Sequence, residues 1–237
     1  ILADGQDSIK ARLQRPDIKK YVINSMLQRL KKRKLKHFGY AVVAYHAADT
    51  TYNGKSIEQI NLMKGRKHKA RYEAETVIDI MIAGGASAVF HGMGEEDVKR
   101  IMQYPFNMFA SDATIRVLNA GMPHPRGYGT NARVLGKYVR EEKVLSLEEA
   151  IRRMTSLPAQ KFQLKDRGLL REGYAADIVI FDEKEVKDIA TFEKPHAYSK
   201  GFHHVIVNGV VTVENEKHLE IRAGKALFGP GASHHSN

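Results

Sequence analysis

The stretch ASAVFHGMGEEDVKRIMQYPFNMFASD, residues 86–112, decides the fold class. Residues 86–90 are short and apolar, as a buried strand is, and residues 95–102 are a helix with acids in the first turn, where they complement the helix dipole. Residues 106–110 form another apolar run that ends at Ser111 and Asp112. Strand, helix, strand at this spacing predicts parallel α/β units.

Upstream, residues 40–46 (YAVVAYH) are a further apolar strand feeding the turn residues Asp49, Thr50, Thr51, Asn53 and Gly54. Before it, Ile18, Tyr21, Val22, Met26, Leu27 and Leu30 recur at helical spacing after the break at Pro16, so one face of a surface helix is buried. Ser56 caps a helix, and Ala74, Val77, Ile78, Met81 and Ile82 share the face of a second that stops at Gly84-Gly85. Residues 53–85 therefore read as a helical insertion.

Downstream, residues 121–130 are a loop rich in Gly, Pro and His, and helical pattern resumes at Ala132. Ser146 and Glu149 have capping-box spacing, which starts a helix over residues 147–156. From Asp177 the pattern turns to short strands at 178–181, 204–207 and 210–213, the last two joined by Asn208-Gly209, a strong hairpin turn because both positions need positive φ. The expected organisation is an α/β region over 1–165, a small β module over 166–228 and a flexible tail over 229–237, in which His234-His235 is more simply tail than ligand pair.

With 237 residues, 43% of them hydrophobic, the chain can bury a core. There is no cysteine, hence no disulfide and no thiolate ligand, and any metal must be held by His, Asp or Glu. No apolar run reaches the roughly 18 residues of a membrane span, and the first residues lack signal-peptide character, so a soluble, cytoplasmic protein with no membrane partner is expected. The net charge of +11 is local: residues 1–40 carry +8 and residues 41–72 carry +4, leaving −1 elsewhere. The run Arg29-Leu30-Lys31-Lys32-Arg33-Lys34-Leu35-Lys36 lacks interleaved aromatics, so it reads as the solvated end of a helix and not as a nucleic-acid surface.

Asp112 stands where a strand gives way to a loop, the edge at which α/β folds build active sites. The same position suits a turn former or helix N-cap. Arg126, in His124-Pro125-Arg126-Gly127-Tyr128-Gly129, offers a planar fork that matches a substrate carboxylate, or is an incidental loop cation. His91 and Met93 follow the strand at 86–90, and His46 follows the strand at 40–46; each histidine is either a ligand or a solvated strand end. There is no P-loop, Gly-x-Gly-x-x-Gly, His-Glu-x-x-His or Gly-x-Ser-x-Gly motif, so nucleotide binding, zincin chemistry and a standard serine hydrolase lack support.

Taken together, Phe109-Ala110-Ser111-Asp112, the stretch PHPRGYGTNARVL at 123–135 and the stretch LEEAIRRMTSLPA at 147–159 resemble the N-acyl-D-amino-acid deacylases (D-aminoacylases) of the amidohydrolase superfamily. Tyr52-Asn53-Gly54-Lys55-Ser56 resembles that family's start of an insertion, residues 167–179 its return to a β-sandwich, and residues 205–210 its last hairpin. The resemblance covers nearly the whole chain. It implies the C-terminal part of a (β/α)8 TIM-like amidohydrolase barrel with a helical insertion and a small β-sandwich module. It also implies zinc at the barrel mouth and hydrolysis of N-acyl-D-amino acids.

On that resemblance Asp112 is the catalytic carboxylate and a weak metal ligand, Arg126 pairs with the substrate α-carboxylate, Phe90 and Met93 wall a pocket, and Ser56 and Tyr45 contact substrate. Two departures stand out: Ala113 replaces a common glycine, and the family's His-bearing metal strands precede Ile1. The missing N-terminal half is therefore an expected partner, and the isolated chain is expected to be inactive. A dihydroorotase- or hydantoinase-like amidohydrolase, or a non-catalytic binding protein derived from the enzyme, are the alternatives.

Overall fold

The computed structural model describes residues 5–115 and 117–229; of the expected tail, only Gly229 falls within them, and His234 and His235 lie outside. The chain is mixed α/β and separates into two compact units. One comprises Ile1–Gly92, Arg116–His124 and Phe192–His196, the other Met93–Ile115, Pro125–Thr191 and Ala197–Asn237.

The first unit opens with α1 (Gly5–Gln14) and α2 (Pro16–Lys32). Pro16 sits in the first turn of α2, where its missing N–H is no loss. Helix α1, which buries Ile9 and Leu13, was not foreseen, because the expected helical stripe began only after Pro16. Within α2 the buried stripe is also rotated: Ile23 and Leu30 are buried with Val22, Met26 and Leu27 packed beside them, whereas Tyr21 is exposed. The basic run is the C-terminal end of this helix. Lys34 takes φ 55° and the Leu35 N–H reaches back to the Leu30 carbonyl, a Schellman-type stop, with Arg29, Lys31 and Lys32 in the last turn facing the negative dipole end.

Strands β1 (Ala41–Tyr45) and β2 (Ser87–Phe90) form where the apolar runs predicted them, but they pair antiparallel, Ala41 against Phe90 and Tyr45 against Ser87. The parallel unit expected of residues 86–90 and 106–110 is a different pairing, and β2 pairs with β1. One helix between two strands returns the chain to the starting end of the sheet; two helices leave it at the other end, so the next strand runs backwards. The two are α3 (Ile57–Met63) and α4 (Ala70–Ile82), the helices of the expected insertion. A complete capping box starts α3: the Ser56 hydroxyl accepts from the Gln59 N–H at 3.2 Å and the Gln59 side chain accepts from the Ser56 N–H at 2.8 Å. Ile60 and Ile78 are almost completely buried in the core of this unit, each worth roughly 1.5–3 kcal/mol relative to exposure.

In the second unit, α5 (Glu95–Met102) carries Glu95, Glu96 and Asp97 in its first turn. Residues 106–110, expected as a strand, form none: a strand needs a partner ladder, and among the described residues this run has no paired neighbour, leaving Phe106 exposed while Phe109 packs on the core. Helix α6 (Arg126–Arg133) then runs into a π-helical segment (Val134–Glu141). Helix was expected only from Ala132. The glycines that read as loop serve a close approach instead, since a Cβ on Gly129 would lie 2.7 Å from the Asp188 Cβ.

Helices α7 (Leu147–Met154) and α8 (Ser156–Lys161) follow, and the Ser146 hydroxyl caps α7 by accepting from the Glu149 N–H. Strands β3 (Ile178–Phe181), β4 (Phe202–Val207), β5 (Val210–Glu214) and β6 (Lys217–His218) form one antiparallel sheet in that order. The expected hairpin is present, with Asn208 at φ 49° and Gly209 at φ 81°.

Candidate active site

Asp112 lies on the irregular segment after α5 in the second unit, with φ 46° and a side chain 84% exposed. A left-handed backbone costs a non-glycine residue about 1 kcal/mol, least for Asp and Asn, and such strain clusters at functional positions. Because Asp112 itself takes the left-handed turn, Ala113 does not need the freedom of glycine. Arg126 opens α6, and its Nη2 meets the Asp112 Oδ2 at 2.6 Å. Both groups face solvent, so the pair contributes at most about 1 kcal/mol. A competing carboxylate can displace Asp112 from the guanidinium at small cost.

Met93, 80% exposed, belongs to the same unit and stands just before α5. Tyr45, Ser56 and Phe90 belong to the first unit. Phe90 is 65% exposed at the end of β2, its ring tilted on Tyr40, and Tyr45 is half exposed at the end of β1. In the antiparallel register Phe90 stands opposite Ala41, so Tyr45 and Phe90 sit at opposite ends of the ribbon, about 13 Å apart along it. Ser56 is buried at the α3 N-cap, where its oxygen is already an acceptor.

His46 is a core histidine: it is 2% exposed, hydrogen-bonds through Nδ1 to the Gly85 carbonyl at 2.8 Å and stacks on Tyr52. His91 is exposed, packs edge-on against Phe192 and lines a cleft of about 360 Å³ in the first unit with Asn53, Lys55 and Met122.

The RRM motif at 152–154 holds the second unit together. Arg153, 2% exposed, donates to the Met102 carbonyl at 2.5 Å and to Glu149 at 2.7 Å, tying α7 to the end of α5. Arg152 grips the same carboxylate, and the two guanidiniums hold the Glu149 carboxyl at about 2, below the usual carboxylate range.

Two groups of possible metal ligands assemble among the described residues: His37, Glu58, His68 and Glu73 in the first unit, and Asp182, Glu185 and His203 in the second. Neither was singled out from the sequence, because no local spacing motif joins their members. Neither contains Asp112, whose carboxylate faces a guanidinium and not an imidazole. The described residues thus do not form a zinc shell around Asp112.

A sequence profile described as the amidohydrolase family matches residues 41–213. The chain is 44% identical over 140 residues to an N-acyl-D-glutamate deacylase of Alcaligenes xylosoxydans xylosoxydans, covering 59% of this chain and 28% of the relative. It is 33% identical over 223 residues to a D-aminoacylase of the same organism, covering 92% of this chain and 43% of the relative. In three dimensions it is similar, with a TM-score of 0.64 and 34% identity, to an N-acyl-D-glutamate deacylase from Bordetella bronchiseptica complexed with zinc and a phosphonate inhibitor that mimics the tetrahedral intermediate. That likeness covers 74% of this chain and 35% of the relative. The chain thus spans well under half the length of these relatives. With the family profile covering residues 41–213, most of the chain, the chain belongs to the amidohydrolase family.

Proposed function

We propose that this chain supplies the catalytic carboxylate and part of the substrate pocket of an N-acyl-D-amino-acid deacylase, in the C-terminal part of a (β/α)8 barrel with an attached β-sandwich. The observation that carries the reading is the 2.6 Å contact between Asp112 and Arg126. It joins a carboxylate able to move a proton to a cation able to hold a substrate carboxylate.

In this reading the α-carboxylate of the substrate takes the Arg126 guanidinium, an exchange of one exposed ion pair for another that costs little. Asp112 is then released as a base. It accepts a proton as the water oxygen bonds to the acyl carbon, and it returns that proton to the amine nitrogen as the C–N bond breaks. The products are a carboxylate and a free D-amino acid, and Asp112 is regenerated. Met93, exposed in the same unit as Asp112, walls the acyl or side-chain pocket. Tyr45 and Ser56 contact substrate, Ser56 through its hydroxyl proton, because its oxygen is engaged at the cap.

Zinc is the metal we assign to the complete enzyme, on the strength of the zinc-bound relative. Bound there, it would polarise the amide carbonyl and the attacking water. Its ligands are expected from the part of the relatives' length that this chain does not span.

The test is turnover of N-acetyl-D-methionine and N-acetyl-D-glutamate by the enzyme that carries these residues, intact and with Asp112→Asn. Release of free D-amino acid that collapses in the variant supports the reading. Equal release by both removes Asp112 from the mechanism.

A further inference from the structure

Away from Asp112, four side chains from four separate places in the first unit converge on one point. His37 lies in the link between α2 and β1, Glu58 in the first turn of α3, His68 in the link between α3 and α4, and Glu73 in the first turn of α4. One nitrogen or oxygen from each lies within 4.8 Å of the others. We infer that these four residues form a binding site for a divalent transition metal of the zinc class, which ties the helical insertion to the start of β1.

The geometry is close to what such an ion needs. A tetrahedral site with bonds of about 2.0–2.1 Å has ligand atoms about 3.3 Å apart. Here His37 Nδ1 lies 2.6 Å from Glu73 Oε1 and 3.9 Å from Glu58 Oε1, and His68 Nε2 lies 2.5 Å from Glu58 Oε1. The two short contacts need to lengthen by under about 1 Å to admit an ion.

The supports are already fixed. Glu73 is completely buried, and its second oxygen accepts from the Phe38 N–H at 2.7 Å, which holds it as an outer-shell partner would. The two imidazoles stack at 4.2 Å, which turns both rings towards the carboxylates. The Glu58 carboxylate lies over Gly39, where a Cβ would stand 2.6 Å from Glu58 Oε2. His68 is half exposed, so an ion and a completing water can reach the point from solvent.

Donor chemistry sets the class. Two imidazoles and two carboxylates suit Zn²⁺, Ni²⁺ or Cu²⁺, whereas Mg²⁺ and Ca²⁺ favour all-oxygen sites. Two carboxylates and two neutral imidazoles carry a charge of −2, which a divalent ion neutralises. The sequence hides the site because its members spread over 37 residues in no standard spacing.

The test is equilibrium dialysis of chelator-stripped protein against Zn²⁺, with metal content and melting temperature as readouts and Mg²⁺ as the control. The wild type should take up zinc at this site and melt higher; Mg²⁺ should do neither. His68→Ala removes a half-exposed ligand and should weaken this zinc by at least roughly 100-fold, more than the loss of an outer-shell partner. Gly39→Ala deletes no ligand but displaces Glu58, and should also weaken zinc with the far-UV spectrum unchanged. Asp112→Asn should leave zinc at this site untouched, which separates the proposal from the deacylase reading. Zinc uptake equal in wild type and His68→Ala, whether through other histidines or none, overturns it.

Discussion

Asp112 and Arg126, fourteen positions apart, meet at 2.6 Å, one on the irregular segment after α5 and the other at the first residue of α6. Both partners face solvent, and Asp112 takes a left-handed backbone. Asp112→Asn is the closest substitution in shape: Asn tolerates positive φ as Asp does, and it removes the proton acceptor together with the charge paired to Arg126. In the enzyme that carries this chain, kcat should fall by roughly 10²–10⁴-fold with an unchanged melting temperature. Steady-state release of D-amino acid measures it.

Arg126→Lys keeps the charge but loses the fork. If Arg126 grips the substrate α-carboxylate, KM should rise about tenfold while kcat stays nearly constant, the signature of lost uniform binding. A fall in kcat at constant KM would point to a role in the proton transfer instead.

Ser56 caps α3, and the substrate contact proposed for it is separable from that role by stability and kinetics. Ser56→Ala should lower stability by about 1 kcal/mol through loss of the α3 cap, and Ser56→Asp, another good cap, should restore it. A rise in KM in both variants supports the substrate contact. Urea midpoints and initial rates measured on the same preparations decide.

Glu149 predicts a pH dependence. Arg152 and Arg153 hold its carboxyl at about 2 in the folded state, below its unfolded value near 4.5. A lowered folded value stabilises above the unfolded one, and that stability is lost as pH falls through the folded one. The difference in melting temperature between wild type and Glu149→Gln should be full at pH 6 and shrink between about pH 4.5 and 2. Thermal scans across that range test it.

Gly201 faces the backbone of Glu185 and Val186, in the link after β3. It has φ 83°, and a Cβ there would stand 2.5 Å from the Val186 nitrogen. Neither the conformation nor the space admits a side chain, so Gly201→Ala should destabilise the second unit by more than about 1 kcal/mol, read from the denaturation midpoint.

Elements with local signals were legible in the sequence. The cap at Ser56, the acids opening α5, the cap at Ser146 and the Asn208-Gly209 turn each rest on contacts within a few residues, and each is present. Misreadings came where a residue serves a distant partner. Gly127 and Gly129 read as loop but lie in α6, where Gly129 makes room for Asp188. Tyr21 fitted an apolar stripe but points outward, while Ile23 points in, because the packing of α1 and α4 chooses the buried face. For the candidate site, motif order singled out Asp112 and Arg126, which the structure brings into contact. The cluster of His37, Glu58, His68 and Glu73 was not.

By itself the sequence determined the mixed α/β content, the family and the elements that carry their own caps and turns, since periodicity, caps and turn residues act over one or two turns of chain. Tertiary structure alone decided that β1 and β2 run antiparallel, that residues 106–110 lack a strand partner among the described residues, and that two histidines and two glutamates face one another. Strand pairing and side-chain convergence depend on which distant segments pack together, and that is set by burial of a shared core, which no local pattern encodes.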